Sequence, residues 1–149
     1  MLQSITHMSL SEVEAFEPLY TIPLKALLSI ANPYQSGPVL RDGWSGVLFM
    51  RFDDTSKRGT HLTDHIYRPM TESLAFMMVG FIKGIERSGK TCELIVNCNG
   101  GMSRSPAVCA AIVAAMPSVR WTNPRNEGDW NSAVYSQLGI AFQEFKEAS

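Results

Sequence analysis

The chain contains no apolar run that approaches the ~20 residues needed to cross a bilayer, so no membrane partner is expected. It has almost no net charge, with 13 basic residues against 14 acidic ones. That excludes the strongly basic surface required for nonspecific binding to nucleic acid or to an anionic membrane, and no nucleic-acid partner is expected. Cysteines are few and odd in number, three in 149 residues. A disulfide framework is therefore not expected, and a reducing compartment, the cytoplasm, is the expected location. Cysteines at 92, 98 and 109 and histidines at 7, 61 and 65 have no zinc-ligand spacing, so no metal site is expected. The N-terminus lacks a basic stretch followed by an apolar core, and a secretory leader is not expected. No repeat, low-complexity tract or internal linker interrupts the chain. The expectation is one domain over residues 1–149, long enough to bury a real core. The sequence is silent on oligomeric state.

What the chain does have is a short segment dense with chemistry, Cys98-Asn99-Gly100-Gly101-Met102-Ser103-Arg104-Ser105. An apolar run, Leu94-Ile95-Val96, precedes it, and a helix-like run, Ser105-Pro106-Ala107-Val108-Cys109-Ala110-Ala111-Ile112, follows. Strand, tight glycine loop and helix start make a phosphate cradle, because successive backbone N–H groups curled before a helix converge on one anion. Gly100 and Gly101 supply unusual dihedrals and keep side chains away from the bound oxygens. Arg104 offers a planar fork for two phosphate oxygens. The same positive environment should lower the pKa of the Cys98 thiol, leaving a thiolate for in-line attack on phosphorus. Ser105 is placed to donate a hydrogen bond to the sulfur when it leaves, and Ser103 to brace the loop or cap the helix. The expected site is Cys98, Arg104 and Ser105, with Asn99, Gly100, Gly101, Met102 and Ser103 as the rest of the cradle.

This segment, Cys98 through Arg104 with serine after the arginine, resembles the C-x5-R signature of the protein tyrosine and dual-specificity phosphatases. The Ser103-Arg104-Ser105 tail is similar to the dual-specificity branch in particular, and the chain looks like a small phosphatase-like protein of bacteria or their viruses. The resemblance covers about residues 48–116. It departs from the family at Asn97, where histidine is usual. It implies hydrolysis of a phosphomonoester through phosphocysteine, without a cofactor or metal. The expected partner is a phosphorylated protein, on tyrosine or on serine and threonine, or a small phosphomonoester. Members acting on phosphoinositides tend to carry lysine or arginine inside the loop, and this loop interior has neither.

The family also needs a general acid to protonate the leaving oxygen. The apolar run Val47-Leu48-Phe49-Met50-Arg51-Phe52 leads into Asp53-Asp54-Thr55, and by that match Asp54 is the acid with Asp53 in reserve. The stretch between this segment and Cys98 is longer than the resemblance leads one to expect. The extra length falls in Ser56–Arg68, a polar loop with Lys57, Arg58, His61, Asp64 and His65, which makes Asp64 a rival acid. Lys57 and Arg58 read first as a solvated surface and second as an attraction for an acidic or phosphorylated substrate.

The wider pattern alternates strands and helices. Strands are expected at Gln3–Met8, Lys25–Ile30, Val47–Phe52 and Leu94–Asn97. A short helix is expected after Ser11-Glu12-Val13-Glu14, read as a capping box, and loop from Tyr34 to Trp44. Met70, Leu74, Met77, Phe81 and Ile85 mark a helix with Pro69 in its first turn and Gly89 at its end. The alanine-rich helix after the loop ends at Pro117. A last helix is capped by Asp129, with Val134, Leu138, Phe142 and Phe145 on one face. Met70, Met77 and Met78 read as core packing. Trp121 and Trp130 read as pins for the C-terminal segment. The expected fold is α/β: a central, mostly parallel sheet of four to five strands flanked by helices, of dual-specificity-phosphatase type. Ligands in such sheets bind at the carboxyl ends of strands, where Asp54 and Cys98 both fall. Two other functions share these residues. One is a phosphate-binding module without turnover, suggested by Asn97. The other is a redox-responsive protein in which Cys92 or Cys109 resolves an oxidised Cys98.

Overall fold

The computed structural model describes every residue except 56–58, 61–65, 127 and 149. Among the described residues seven strands and four helices follow in order: β1 (Leu2–Met8), α1 (Leu10–Ala15), β2 (Leu24–Ala31), β3 (Gly46–Arg51), β4 (Gly59–Thr60), β5 (Ile66–Tyr67), α2 (Glu72–Arg87), β6 (Cys92–Asn97), α3 (Arg104–Ala115), β7 (Arg120–Trp121) and α4 (Ser132–Ala148). Five of the strands form one sheet in the order β3-β2-β6-β1-β7. Every pairing in it is parallel. The short β4 and β5 pair antiparallel outside it.

The middle strands are apolar on both sides because both faces are covered. Leu28, Ile30, Leu94 and Val96 join residues of α2, α3 and α4 in the main core on one face. Leu27 and Ile95 meet Val13 of α1 on the other, with Phe16, Leu40 and Trp44 packed around them. Helix α3 is buried almost all round from Arg104 to Ile112. Its alanines let it lie close between the sheet and α4, as a helix without a polar face must. Trp121 and Trp130 pack with ring centres 6.0 Å apart and planes tilted by 57°, and the Trp121 indole N–H donates to His7 Nδ1 at 3.1 Å, so the C-terminal segment is pinned to the end of β1.

Several local expectations need correction. The capping box of α1 is formed by Ser9 with Glu12, not by Ser11 with Glu14. Thr71 caps α2, and Pro69 lies before that helix. Asn131, not Asp129, caps α4, its Oδ1 accepting from the N–H groups of Ala133 and Val134. The buried face of α2 is Ala75, Met78, Val79 and Ile82, and Met77 is 54 % exposed. A helix with apolar residues on more than one stripe does not reveal by period alone which stripe faces the sheet. Strand β7 was not foreseen, since two residues carry no pattern.

Candidate active site

The parallel sheet brings the ends of β3 and β6 to the same edge. Cys98 is the first residue beyond β6, and Asp53 and Asp54 follow soon after β3. Between β6 and α3 the chain curls tightly, and one glycine makes the curl possible. Gly101 has φ +70°, in the left-handed region, and a Cβ there would lie 2.7 Å from Ser9 N and 2.8 Å from the Met8 carbonyl carbon. The loop is thus seated directly on the junction of β1 and α1, and the Leu10 N–H donates to the Asn99 carbonyl at 3.1 Å. Gly100 has no positive φ, and a Cβ there would meet only the Met102 side chain, at 3.9 Å. Gly101 therefore carries the backbone requirement expected of both glycines, and its missing side chain makes room for the protein's own backbone.

The Cys98 thiol sits on the floor of this loop, 3 % exposed, with its Sγ 3.2 Å from Ser105 Oγ. Burial alone would push the thiol up. The Ser105 hydroxyl, the backbone N–H groups of Ser105 and Ser103 and the charge of Arg104 outweigh it and hold the thiol below its ordinary value. Cys92 and Cys109 behave oppositely. Burial raises both, and Cys109, fully enclosed in α3, is pushed well up, with the neighbouring Cys98 charge adding to the effect. All three cysteines are free. In the native protein, iodoacetamide is expected to alkylate Cys98 before Cys92 and Cys109, with a pH midpoint below the ~8.5 of free cysteine. In denaturant the three should react alike, and equal reactivity in the native state would contradict this ordering.

Arg104, the first residue of α3, is 5 % exposed, and one of its guanidinium nitrogens, Nη1, donates to the Phe52 carbonyl at 2.6 Å. That bond ties the loop to the end of β3 and fixes the plane of the fork. Its Nε has no hydrogen-bond partner, and among the described residues no carboxylate forms an ion pair with it. A buried charged donor left unpaired is costly, and an oxyanion in the loop is the group that would satisfy it. The Ser103 hydroxyl does not cap α3, contrary to one of the two roles expected for it. The first-turn N–H groups of α3 therefore have no side-chain cap from Ser103, as anion binding at a helix N-terminus requires.

The Ser103 hydroxyl instead donates to Asp54 Oδ1 at 2.9 Å. Asn131 Nδ2 donates to the same oxygen at 2.8 Å, and the Asn131 N–H donates to the Ser103 carbonyl at 3.1 Å. Asp54 is exposed at the loop rim, held by two donors from different parts of the chain. Asp53 is turned inward, with Oδ2 accepting from the Arg68 N–H at 2.7 Å and its own N–H donating to the Arg68 carbonyl at 2.7 Å. Asp64, with Lys57, Arg58, His61 and His65, lies outside the described residues. Asn131 was not foreseen as a site residue. Its only sequence signal is its place three residues before Val134, the first buried residue of α4, a capping signature that says nothing of Asp54.

Asn97 is buried at the end of β6. Its Nδ2 makes a long contact, 3.5 Å, to the Cys98 carbonyl, and its Oδ1 is unpaired. The thiol is lowered without any contribution from this position. Asn99 and Met102 are exposed at the loop mouth, Met102 as an apolar rim. Among the described residues no helix is long and apolar enough to cross a membrane.

No family profile matches the chain, and no curated protein matches its sequence. Among solved structures the chain is similar to a crystal structure of a variant of human DUSP28, a dual-specificity phosphatase. The TM-score is 0.51 and the identity 18 %, with 96 % of this chain and 92 % of the other covered. At that identity the likeness is one of fold, and the chain has the α/β fold of a dual-specificity phosphatase.

Proposed function

We propose that this protein is a cysteine-dependent phosphatase acting on a phosphomonoester, a phosphotyrosine or phosphoserine/threonine side chain of a protein being the favoured substrate, in the cytoplasm. The observation that carries the reading is a buried Cys98 thiol held low by loop N–H groups, the Ser105 hydroxyl and Arg104, beside an unpaired Arg104 Nε.

In this reading the phosphate oxygens take the loop N–H groups of residues 99–104 and the Arg104 guanidinium, which hold the charge that spreads over them in the transition state. Cys98 Sγ forms a bond to phosphorus as the bond to the ester oxygen breaks. Asp54 gives that oxygen its proton. Water then attacks the phosphocysteine, Asp54 takes the water's proton, and the sulfur departs as a thiolate stabilised by the Ser105 hydroxyl. Asp54 is favoured over Asp53 because Asp53 is committed to the Arg68 backbone, whereas Asp54 stands at the rim on the loop's own Ser103. Asn131 is a positioning residue for Asp54.

Asp54→Asn is expected to act on the chemical step, lowering kcat rather than weakening binding of phosphate. It should lower turnover of an alkyl phosphate by about a hundredfold or more. An aryl phosphate with a good leaving group should lose much less, because its leaving oxygen needs little protonation. Equal losses on both substrates would remove Asp54 from the mechanism.

A second reading is a module that binds a phosphorylated ligand without turning it over. The observation in its favour is Asn97, whose amide braces the loop floor only through one long contact and leaves Oδ1 unpaired. Clean wild-type protein that binds phosphate or vanadate but hydrolyses no aryl phosphate would establish that reading instead.

A further inference from the structure

A cavity of about 320 Å³ opens beside the loop, at the carboxyl end of β2. Its walls are Ser29 on β2, Tyr34, Gln35 and Ser36 in the segment that follows, Leu10 at the start of α1, and Asn99. Asn99 belongs to both places. It directly follows Cys98, and its carbonyl is held by the Leu10 N–H. Adjacent Cα atoms are about 3.8 Å apart, so a group carried a few atoms from a phosphate in the loop comes within reach of the cavity.

The chemistry of the walls is specific. Among the described residues, no Asp, Glu, Lys or Arg lines the cavity. Ser29 does, and it is 1 % exposed with an Oγ that has no hydrogen-bond partner. In the parallel register Ser29 stands opposite Asn97, whose Oδ1 is also unpaired. Two buried polar atoms without partners, side by side on adjacent strands, are expensive in a folded protein. Ser29 is among the residues that line a cavity large enough for a small organic group, and its buried hydroxyl would meet a ligand there by turning about its Cα–Cβ bond. A charged group would lose its hydration there, and the described residues that line the cavity offer it no counter-charge. An amide or hydroxyl would pair with the Ser29 hydroxyl without that cost. At the outer edge Tyr34 is 70 % exposed, with the Arg68 guanidinium 5.9 Å from its ring centre, a flat wall suited to a planar amide.

We propose that this cavity is a second substrate subsite, which reads an uncharged amide or hydroxyl side chain next to the phosphorylated residue of a peptide, with Ser29 as its specificity-determining residue. A neighbour in a peptide lies to the side of the phosphate, as the cavity lies to the side of the loop. The proposal rests on the phosphatase reading for the position of the phosphate.

The test measures peptide binding on the Cys98→Ser background, so that it does not depend on turnover. Fluorescent phosphotyrosine peptides carry Asn, Ala, Asp or Lys immediately before or after the phosphorylated residue, and inorganic phosphate serves as competitor. One of the two Asn peptides should bind about 3–10-fold more tightly than its Ala, Asp and Lys counterparts, the worth of one good hydrogen bond. Ser29→Ala should abolish that preference while leaving the affinity for inorganic phosphate unchanged. Ser36→Trp, at an exposed position whose ring would fill the cavity, should do the same and carries little risk to folding. No preference for Asn, no peptide binding where inorganic phosphate still binds, or a preference that survives both variants would overturn the subsite. Absence of aryl phosphate hydrolysis by wild type, with the Asn preference intact, would instead count against the phosphatase reading alone.

Discussion

Cys98→Ser is expected to reduce hydrolysis of an aryl phosphate by at least about a thousandfold, because a serine hydroxyl in this loop is not ionised at neutral pH and the covalent route closes. Binding of phosphate or vanadate should survive, since the loop N–H groups and Arg104 are untouched. The expectation depends on the loop's electrostatics, which favour a negative atom on the floor and an oxyanion above it. Arg104→Lys separates the two contributions. A lysine keeps the charge but not the fork, so it cannot hold the Phe52 carbonyl and two phosphate oxygens at once. Turnover should fall about a hundredfold or more, and anion affinity should fall with it. A Cys98→Ser protein that still turns over, or an Arg104→Lys protein that loses neither, would contradict this division of labour. Both variants are checked by steady-state kinetics and by calorimetric titration with phosphate.

Gly101→Ala should destabilise the protein by about 2–4 kcal/mol, combining the left-handed backbone that alanine resists with a methyl group pushed into main chain. For a chain of this length that is a fall in Tm of about 5–15 °C. The close atoms, Ser9 N and the Met8 carbonyl carbon, belong to the β1–α1 junction and cannot swing aside as a side chain would. Any relief must come from lifting the loop, which moves Cys98 relative to Arg104 and should also cost activity. Gly100→Ala is the paired control for stability, because its methyl would meet only the Met102 side chain. It should change stability by no more than about 0.5 kcal/mol. Thermal unfolding of the two variants side by side decides the matter, and equal Tm values would show that Gly101 does not carry the strain assigned to it.

The two predictions also mark how far the sequence alone reaches. The alternation of apolar runs with helical periods was enough for a parallel α/β sheet, because strands buried on both faces carry unbroken apolar runs, as β2 does at Ala26, Leu27 and Leu28 and β6 at Leu94, Ile95 and Val96. The loop was legible because Cys98, Gly101, Arg104 and Ser105 lie within eight residues, so local chemistry and local backbone speak together. Features that require distant segments to meet were not legible. Asp53 and Asp54 are chemically identical in sequence, and only the Arg68 backbone on one side and Ser103 with Asn131 on the other tell them apart. Asn131 joins three segments far apart in the chain, and none of them hints at the others. Gly100 and Gly101 look interchangeable until the β1–α1 junction is seen against one of them. Of the apolar residues that mark α2, Leu74, Phe81 and Ile85 pack against the core from its edge and Met77 is exposed, because leucine, methionine and phenylalanine occupy more than one stripe. Ser29 looked like an ordinary strand residue, and its interest comes from a cavity formed by a loop with no regular pattern.

The central claim is that Cys98 is the nucleophile, and the most direct test looks for the bond it would make. The wild-type protein is mixed with an aryl phosphate in the presence of a metal chelator, quenched in acid within the first turnovers, digested and analysed by mass spectrometry. The account predicts phosphate on the peptide containing Cys98, none on Cys92 or Cys109, and a greater yield in Asp54→Asn if its acid–base role slows hydrolysis of the intermediate more than its formation. Substrate turnover with no phosphocysteine at Cys98 in either protein, or turnover that persists in Cys98→Ser, would contradict it.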